Sequence, residues 1–134
     1  MAALVFAALL VAHALIHASY LSPRPAAKPG APAWPFDLGR SRLLSAFGVR
    51  GAVPRPFAVG LVALTLAGFG AAAISAAGWA PEGLFVVGIG VGSVASLALL
   101  GLFFHPWLSL GIAIDILLLW AAFVARWNPA GLAA

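Results

Sequence analysis

Four apolar stretches, each about as long as a bilayer is thick, constrain this chain more than any other feature it has. A helix needs about 20 mostly apolar residues to cross roughly 30 Å of hydrocarbon, and residues 2–21, 57–78, 83–104 and 106–127 each meet that requirement. Inside a bilayer the backbone has no water to bond, so such stretches fold as helices. A water-soluble alternative fails on composition: 64% of the 134 residues are hydrophobic and 7% are charged, against about 45–50% and 25% in soluble domains. The expected fold is therefore all-α, a polytopic membrane protein forming one four-transmembrane-helix bundle. Only "WAPE" separates the second and third stretches, and little more than His105 and Pro106 the third and fourth. Both pairs are expected to be tight antiparallel hairpins, with Pro106 suited to the first turn of a helix. "AHA" at 12–14 has the look of a signal-peptide cleavage site, but no basic residue precedes it and the apolar run continues beyond it. The first stretch is expected to remain as a span.

Charge sets the expected orientation. Residues 22–56 hold Arg24, Lys28, Arg40, Arg42, Arg50 and Arg55 against Asp37, a net +5, while the rest of the chain sums to −1, giving the overall +4. Basic residues beside spans normally face the cytoplasm, so this loop is expected inside and both termini outside, with Arg126 a minor exception. An arginine-rich, alanine-, glycine- and proline-rich composition fits a bacterial inner membrane. Arg40, Arg42, Arg50 and Arg55 are expected to meet anionic lipid headgroups, and a nucleic-acid partner is not expected. "SPRPAAKPGAPAWP" is too rich in proline for a helix, whereas "DLGRSRLLSAFGV" reads as a short interfacial helix capped by Asp37 and ending near Gly48, with an irregular basic loop as the alternative its glycines leave open. Trp79, Trp107, Trp127 and Tyr20 fall at span ends, where an aromatic belt is expected.

The chemistry-bearing residues occupy one depth. At 1.5 Å per residue, His17 lies about 6 Å and His13 about 12 Å inside the loop-side surface, Asp115 about 13 Å, and Thr65 and Ser96 about 12 Å. His105 stands at the junction of the third and fourth spans. Ionisable groups inside a membrane cost several kcal/mol unless they face the bundle interior and find partners, which makes them functional-site candidates. Asp115 and His13 are natural partners, with His17 and His105 a shallower pair.

Three readings stay open. His13 and His17, at i and i+4 on one helix face, with His105 or Asp115, could hold a transition metal, or a haem if His105 contributes. The groups could instead form a proton or ion path, although the outer half of every span lacks ionisable side chains. They could also make a buried hydrogen bond that fixes helix register. With no cysteine, thiolate metal sites and disulfides are excluded. No serine with a base at suggestive spacing and no carboxylate pair is visible, so an enzyme is not the leading expectation. The glycines of "GLFVVGIGVGSVASLALLG" lie inside an apolar helix, which excludes a nucleotide loop. Gly88 and Gly92, with Ser96, recur every four residues as a small-residue packing face, for which Ala67, Ala71 and Ala72 are expected counterparts in the second span.

"HALIH" in the first span, "RPFAVGLVAL" opening the second, Trp79 closing it and "LFFHPWLSLGIAID" across the third and fourth together resemble a group of small, uncharacterised bacterial four-helix membrane proteins. That resemblance implies the four-span layout and that His13, His17, His105 and Asp115 belong together; it implies no activity. The expectation is thus a small integral membrane protein, an accessory, assembly or scaffold subunit of a larger membrane complex or homo-oligomer, with a cytoplasm-facing His/Asp site for a metal or cofactor. The alternative is a membrane redox enzyme or a proton-coupled transporter component.

Overall fold

A computed structural model describes residues 1–23, 26, 29–30, 34–38, 41–49 and 55–127, without the side chain of Arg42. It is all-helical. The first span is α1 (Ala2–Ala18), extended by a 3-10 turn at Ser19–Leu21. A short α2 (Arg42–Ala46) lies in the connection to α3 (Arg55–Ala76), which is followed by α4 (Gly83–Leu102). The last span begins with a 3-10 turn at Pro106–Leu108, continues as α5 (Ser109–Leu119) and ends in a π-helical turn at Trp120–Val124. Four of these segments are long and apolar enough to cross a membrane, and the chain is a multi-pass membrane protein.

Each helix end has a local cause. α3 stops at Gly78, whose φ of +81° needs a residue without a Cβ. There the amides of Gly78 and Trp79 donate back to the carbonyls of Ser75 and Ile74, satisfying two otherwise orphaned acceptors. α2 ends the same way at Gly48, with Gly48 and Val49 donating to Ser45 and Leu44. Its start differs from the sequence expectation: Ser41, not Asp37, is the N-cap, its hydroxyl accepting from the Leu44 amide at 3.2 Å. The Ser41 hydroxyl also donates to the carbonyl of Leu102 at 2.7 Å, pinning α2 to the C-terminal end of α4. Leu44 turns into the bundle, while Leu43 and Phe47 stay exposed.

α3 and α4 form the central pair because glycines bring their backbones together. A Cβ added to Gly88 would lie 2.6 Å from the Gly68 carbonyl oxygen, and one added to Gly92 would lie 2.9 Å from the Phe69 ring. Gly68 and the buried Ala72 are the counterparts of the α4 glycines; Ala67 is exposed, one helical position off the contact face. α1 packs along α3, and α5 packs along α4. Leucine, valine and isoleucine side chains cover the outside of all four spans, including Leu4, Leu9, Leu15, Val59, Leu64, Val87, Val94, Ile116 and Leu117, as contact with lipid requires.

Two apolar cores are stacked along the bundle. One, toward the N-terminus of the chain, gathers Leu10, Ala14, Phe69, Ala72, Phe85, Ile89 and Ala122. The other, on the side of the α1–α3 connection, gathers Tyr20, Ala58, Val62, Leu99, Leu100, Phe103 and Leu108. The aromatic residues at span ends divide accordingly. Trp79 and Trp107 are exposed, but Tyr20 is buried in the second core and Trp127 folds back onto Phe6, ring centroids 4.8 Å apart. The π-helical turn and the positive φ of Arg126 redirect the chain for that contact. Of the arginines expected at headgroups, Arg55 is exposed at the start of α3; Arg40, Arg50 and the side chain of Arg42 lie outside the described residues.

Candidate functional site

The layer between the two cores is polar. α1 contributes His13 and His17, one turn apart on the face turned into the bundle; α4 contributes Ser96 and α5 Asp115, and all four are buried. His13 Nε2 meets Asp115 Oδ1 at 2.9 Å. Ser96 Oγ donates to Asp115 Oδ2 at 2.5 Å and lies 2.7 Å from His17 Nε2. His17 Nδ1 lies 3.0 Å from the carbonyl oxygen of His13, one turn back in the same helix. The His13 ring is steadied edge-on by His17 and by Phe69, centroids 5.1 Å away in each case.

Counting hydrogens shows what this chain of contacts requires. A carbonyl only accepts, so His17 Nδ1 carries a proton. The remaining contacts, His17 to Ser96, Ser96 to Asp115 and Asp115 to His13, need one hydrogen each. Ser96 supplies one and the Nε2–H form of His13 a second. The third sits either on His17 Nε2, with Ser96 donating to Asp115, or on the Asp115 carboxyl, which then donates to Ser96 while Ser96 donates to His17, and in both cases the cluster as a whole is neutral. A neutral, fully bonded cluster is the form a low-dielectric interior tolerates best. No partner for the second ring nitrogen of His13, Nδ1, is found among the described residues.

The other residues expected in the layer have separate duties. Thr65 is buried at the same level, but its hydroxyl donates to the Leu61 carbonyl in its own helix at 2.9 Å. His105 stays outside the cluster and is half-buried. Its Nδ1 accepts from the Trp107 amide at 3.2 Å, capping the turn that opens the last span. A cap needs a side chain folded against its own backbone, which keeps the ring from reaching His17. Among the described residues the group able to hold a metal ion is His13, His17 and Asp115, with ligand atoms all within 4.8 Å of one another.

One side of the cluster is open. A cleft of about 120 Å³ borders His13 and His17, walled by Ile16 of α1 and by Leu110, Gly111 and Ile114 of α5, with Leu100 of α4 behind. Phe36 of the α1–α3 connection and Trp107 also line it. The cleft exists because α1 and α5 each lean on the central pair and face one another across a gap. Gly111 contributes no side chain there: a Cβ would lie 3.2 Å from Leu100 and 3.9 Å from His13 Cε1. The sequence held a signal for this position, since Gly111 lies one turn before Asp115 on the same face.

Fold and site together define a small four-span membrane bundle whose interior holds a hydrogen-bonded His–Ser–Asp–His cluster between two apolar cores. No protein-family model, curated protein or solved structure matches the chain.

Proposed function

We propose that this chain is a small accessory subunit of a bacterial inner membrane, its basic loop in the cytoplasm and both termini outside. In this reading its buried His13, His17 and Asp115 bind one first-row transition-metal ion. The observation that carries the reading is the convergence of three metal-ligating side chains from α1 and α5 to within 4.8 Å inside the membrane layer. Fixing helix register needs one polar pair; a third buried ionisable group adds several kcal/mol of cost that a structural role does not call for. Two imidazoles and one carboxylate suit Zn²⁺ or Fe²⁺ and leave at least one coordination position free. The Nε2 atoms of the two histidines and an Asp115 oxygen are the donors, drawn in until each lies at roughly 2.0–2.2 Å from the ion. Haem does not suit the site: His105 is engaged as a cap, and the cleft, about 120 Å³, is well below the roughly 300 Å³ at which pockets for larger ligands begin.

The inside orientation is supported by six of the seven basic residues falling between the first two spans. An accessory role, rather than transport, is supported by the apolar core of Leu10, Phe69, Phe85 and Ile89 on the N-terminal side of the cluster, which holds no ionisable side chain among the described residues. A second reading is favoured by Ser96. Because its hydroxyl joins His17 to Asp115, the cluster is satisfied as it stands, and it could serve solely to lock α1, α4 and α5 together. Elemental analysis of the purified protein separates the two. Near-stoichiometric metal that falls several-fold in His13→Ala and His17→Ala supports the metal site. Metal-free protein leaves the lock.

A further inference from the structure

The cleft beside the cluster opens sideways, toward lipid. Its rim residues Ile16, Trp107 and Leu110 are more than half exposed on the outer surface of the spans, and its walls are apolar apart from the two imidazoles. A molecule reaching His13 by this route arrives from the bilayer and meets a single polar end. That end has an unfilled hydrogen-bonding position. With Nε2–H of His13 directed to Asp115, the Nδ1 lone pair has no partner among the described residues, and it accepts rather than donates.

Size and wall chemistry narrow the ligand. Apolar cavities of about 150 Å³ take up benzene, so a cleft of about 120 Å³ with an open mouth admits one ring while the rest of the molecule stays in lipid. Two aromatic residues, Phe36 and Trp107, line the cleft as well. An anionic head is disfavoured by the neighbouring Asp115 and by the apolar walls. We propose that this cleft binds the neutral hydroxy-aromatic head, a phenol or quinol, of a lipid-soluble molecule that enters between α1 and α5. The head donates its O–H to His13. This goes beyond the metal reading and concerns the metal-free cluster: an ion on His13 Nε2 would place the ring proton on Nδ1, which then donates and cannot accept the phenol O–H.

The test uses the full chain, freed of metal with a chelator, in phosphatidylcholine nanodiscs with tritiated para-nonylphenol, and para-nonylanisole as the same body without the O–H. Expected is saturable uptake of about one phenol per chain above empty discs, at least tenfold tighter than the ether. Gly111→Leu fills the cleft, and Ile16→Trp narrows its mouth from an exposed position that leaves the cores intact. Each is expected to weaken phenol binding at least tenfold, and Ile16→Trp, which does not touch the cluster, is expected to leave metal uptake at the wild-type level. Equal binding of phenol and ether, uptake no greater than in empty discs, or unchanged binding in both variants overturns the proposal. Protein that is metal-free as purified and binds the phenol overturns the metal reading and upholds this one.

Discussion

The direction in which the Ser96 hydroxyl points is tied to where the third proton of the buried cluster sits, and that makes substitutions at Asp115 unequal. Asparagine at position 115 keeps most of the wiring: its oxygen accepts from His13, one amide hydrogen donates to Ser96, and the Ser96 hydroxyl then donates to His17, but the second amide hydrogen has no partner in the cluster. Asp115→Asn is therefore expected to cost about 1 kcal/mol of stability, at the low end for one buried unpaired donor. Asp115→Leu strands the His13 N–H and the Ser96 hydroxyl and is expected to cost about 1–3 kcal/mol, as is Ser96→Ala, which strands His17 and Asp115. Equilibrium unfolding in mixed detergent measures all three. The residues of this cluster were legible in the sequence as polar groups at one depth in a bilayer, because the helix rise converts sequence position into depth. Their wiring was not. Depth does not say that the Thr65 hydroxyl turns to its own helix, or that His105 is spent as a cap, since both depend on rotamers and local backbone. His105→Ala is accordingly expected to cost about 0.5–1 kcal/mol, as other caps do, and to leave metal content unchanged.

Spans and hairpins follow from apolar length and from Gly78, Pro106 and the short connections, all readable without a structure. What the sequence hides is which faces meet, because each span is apolar all round and carries almost no amphipathic stripe to orient it. Small residues decide instead. Gly88 and Gly92 marked the α4 face, but their partner is Gly68, overlooked beside the more numerous alanines of the same helix. Since a Cβ at Gly88 would sit 2.6 Å from a backbone oxygen of α3, Gly88→Ala is expected to destabilise by about 1–3 kcal/mol, the usual cost of an overpacked contact. Gly60, with open space around its Cβ position, tolerates the same change; comparing the two melting temperatures checks this. The early expectation of a capping Asp37 failed because Ser41, four residues later, both caps α2 and reaches the Leu102 carbonyl, a long-range bond that no local pattern announces.

At the scale of the whole molecule, two apolar cores enclose a polar layer that lies off-centre, toward the α1–α3 connection. That asymmetry was legible, since the other half of every span lacks ionisable groups. The lateral cleft was not, because it arises from the packing of α1 on α3 and of α5 on α4 rather than from any one segment. The proposed orientation is open to a direct check, as the chain has no native cysteine. Phe47→Cys is expected to react with a membrane-impermeant maleimide only in inverted inner-membrane vesicles, and Trp79→Cys only in intact spheroplasts. The reverse pattern contradicts the orientation.

Binding of an ion by the histidine–aspartate cluster is the central claim, and cobalt titration of Asp115→Asn beside wild type tests it most directly. Wild type is expected to develop the visible absorption of low-coordinate Co²⁺, saturating near one equivalent, while Asp115→Asn, still folded, binds at least tenfold more weakly. Identical titrations of the two proteins, or no visible band in either, would contradict the account.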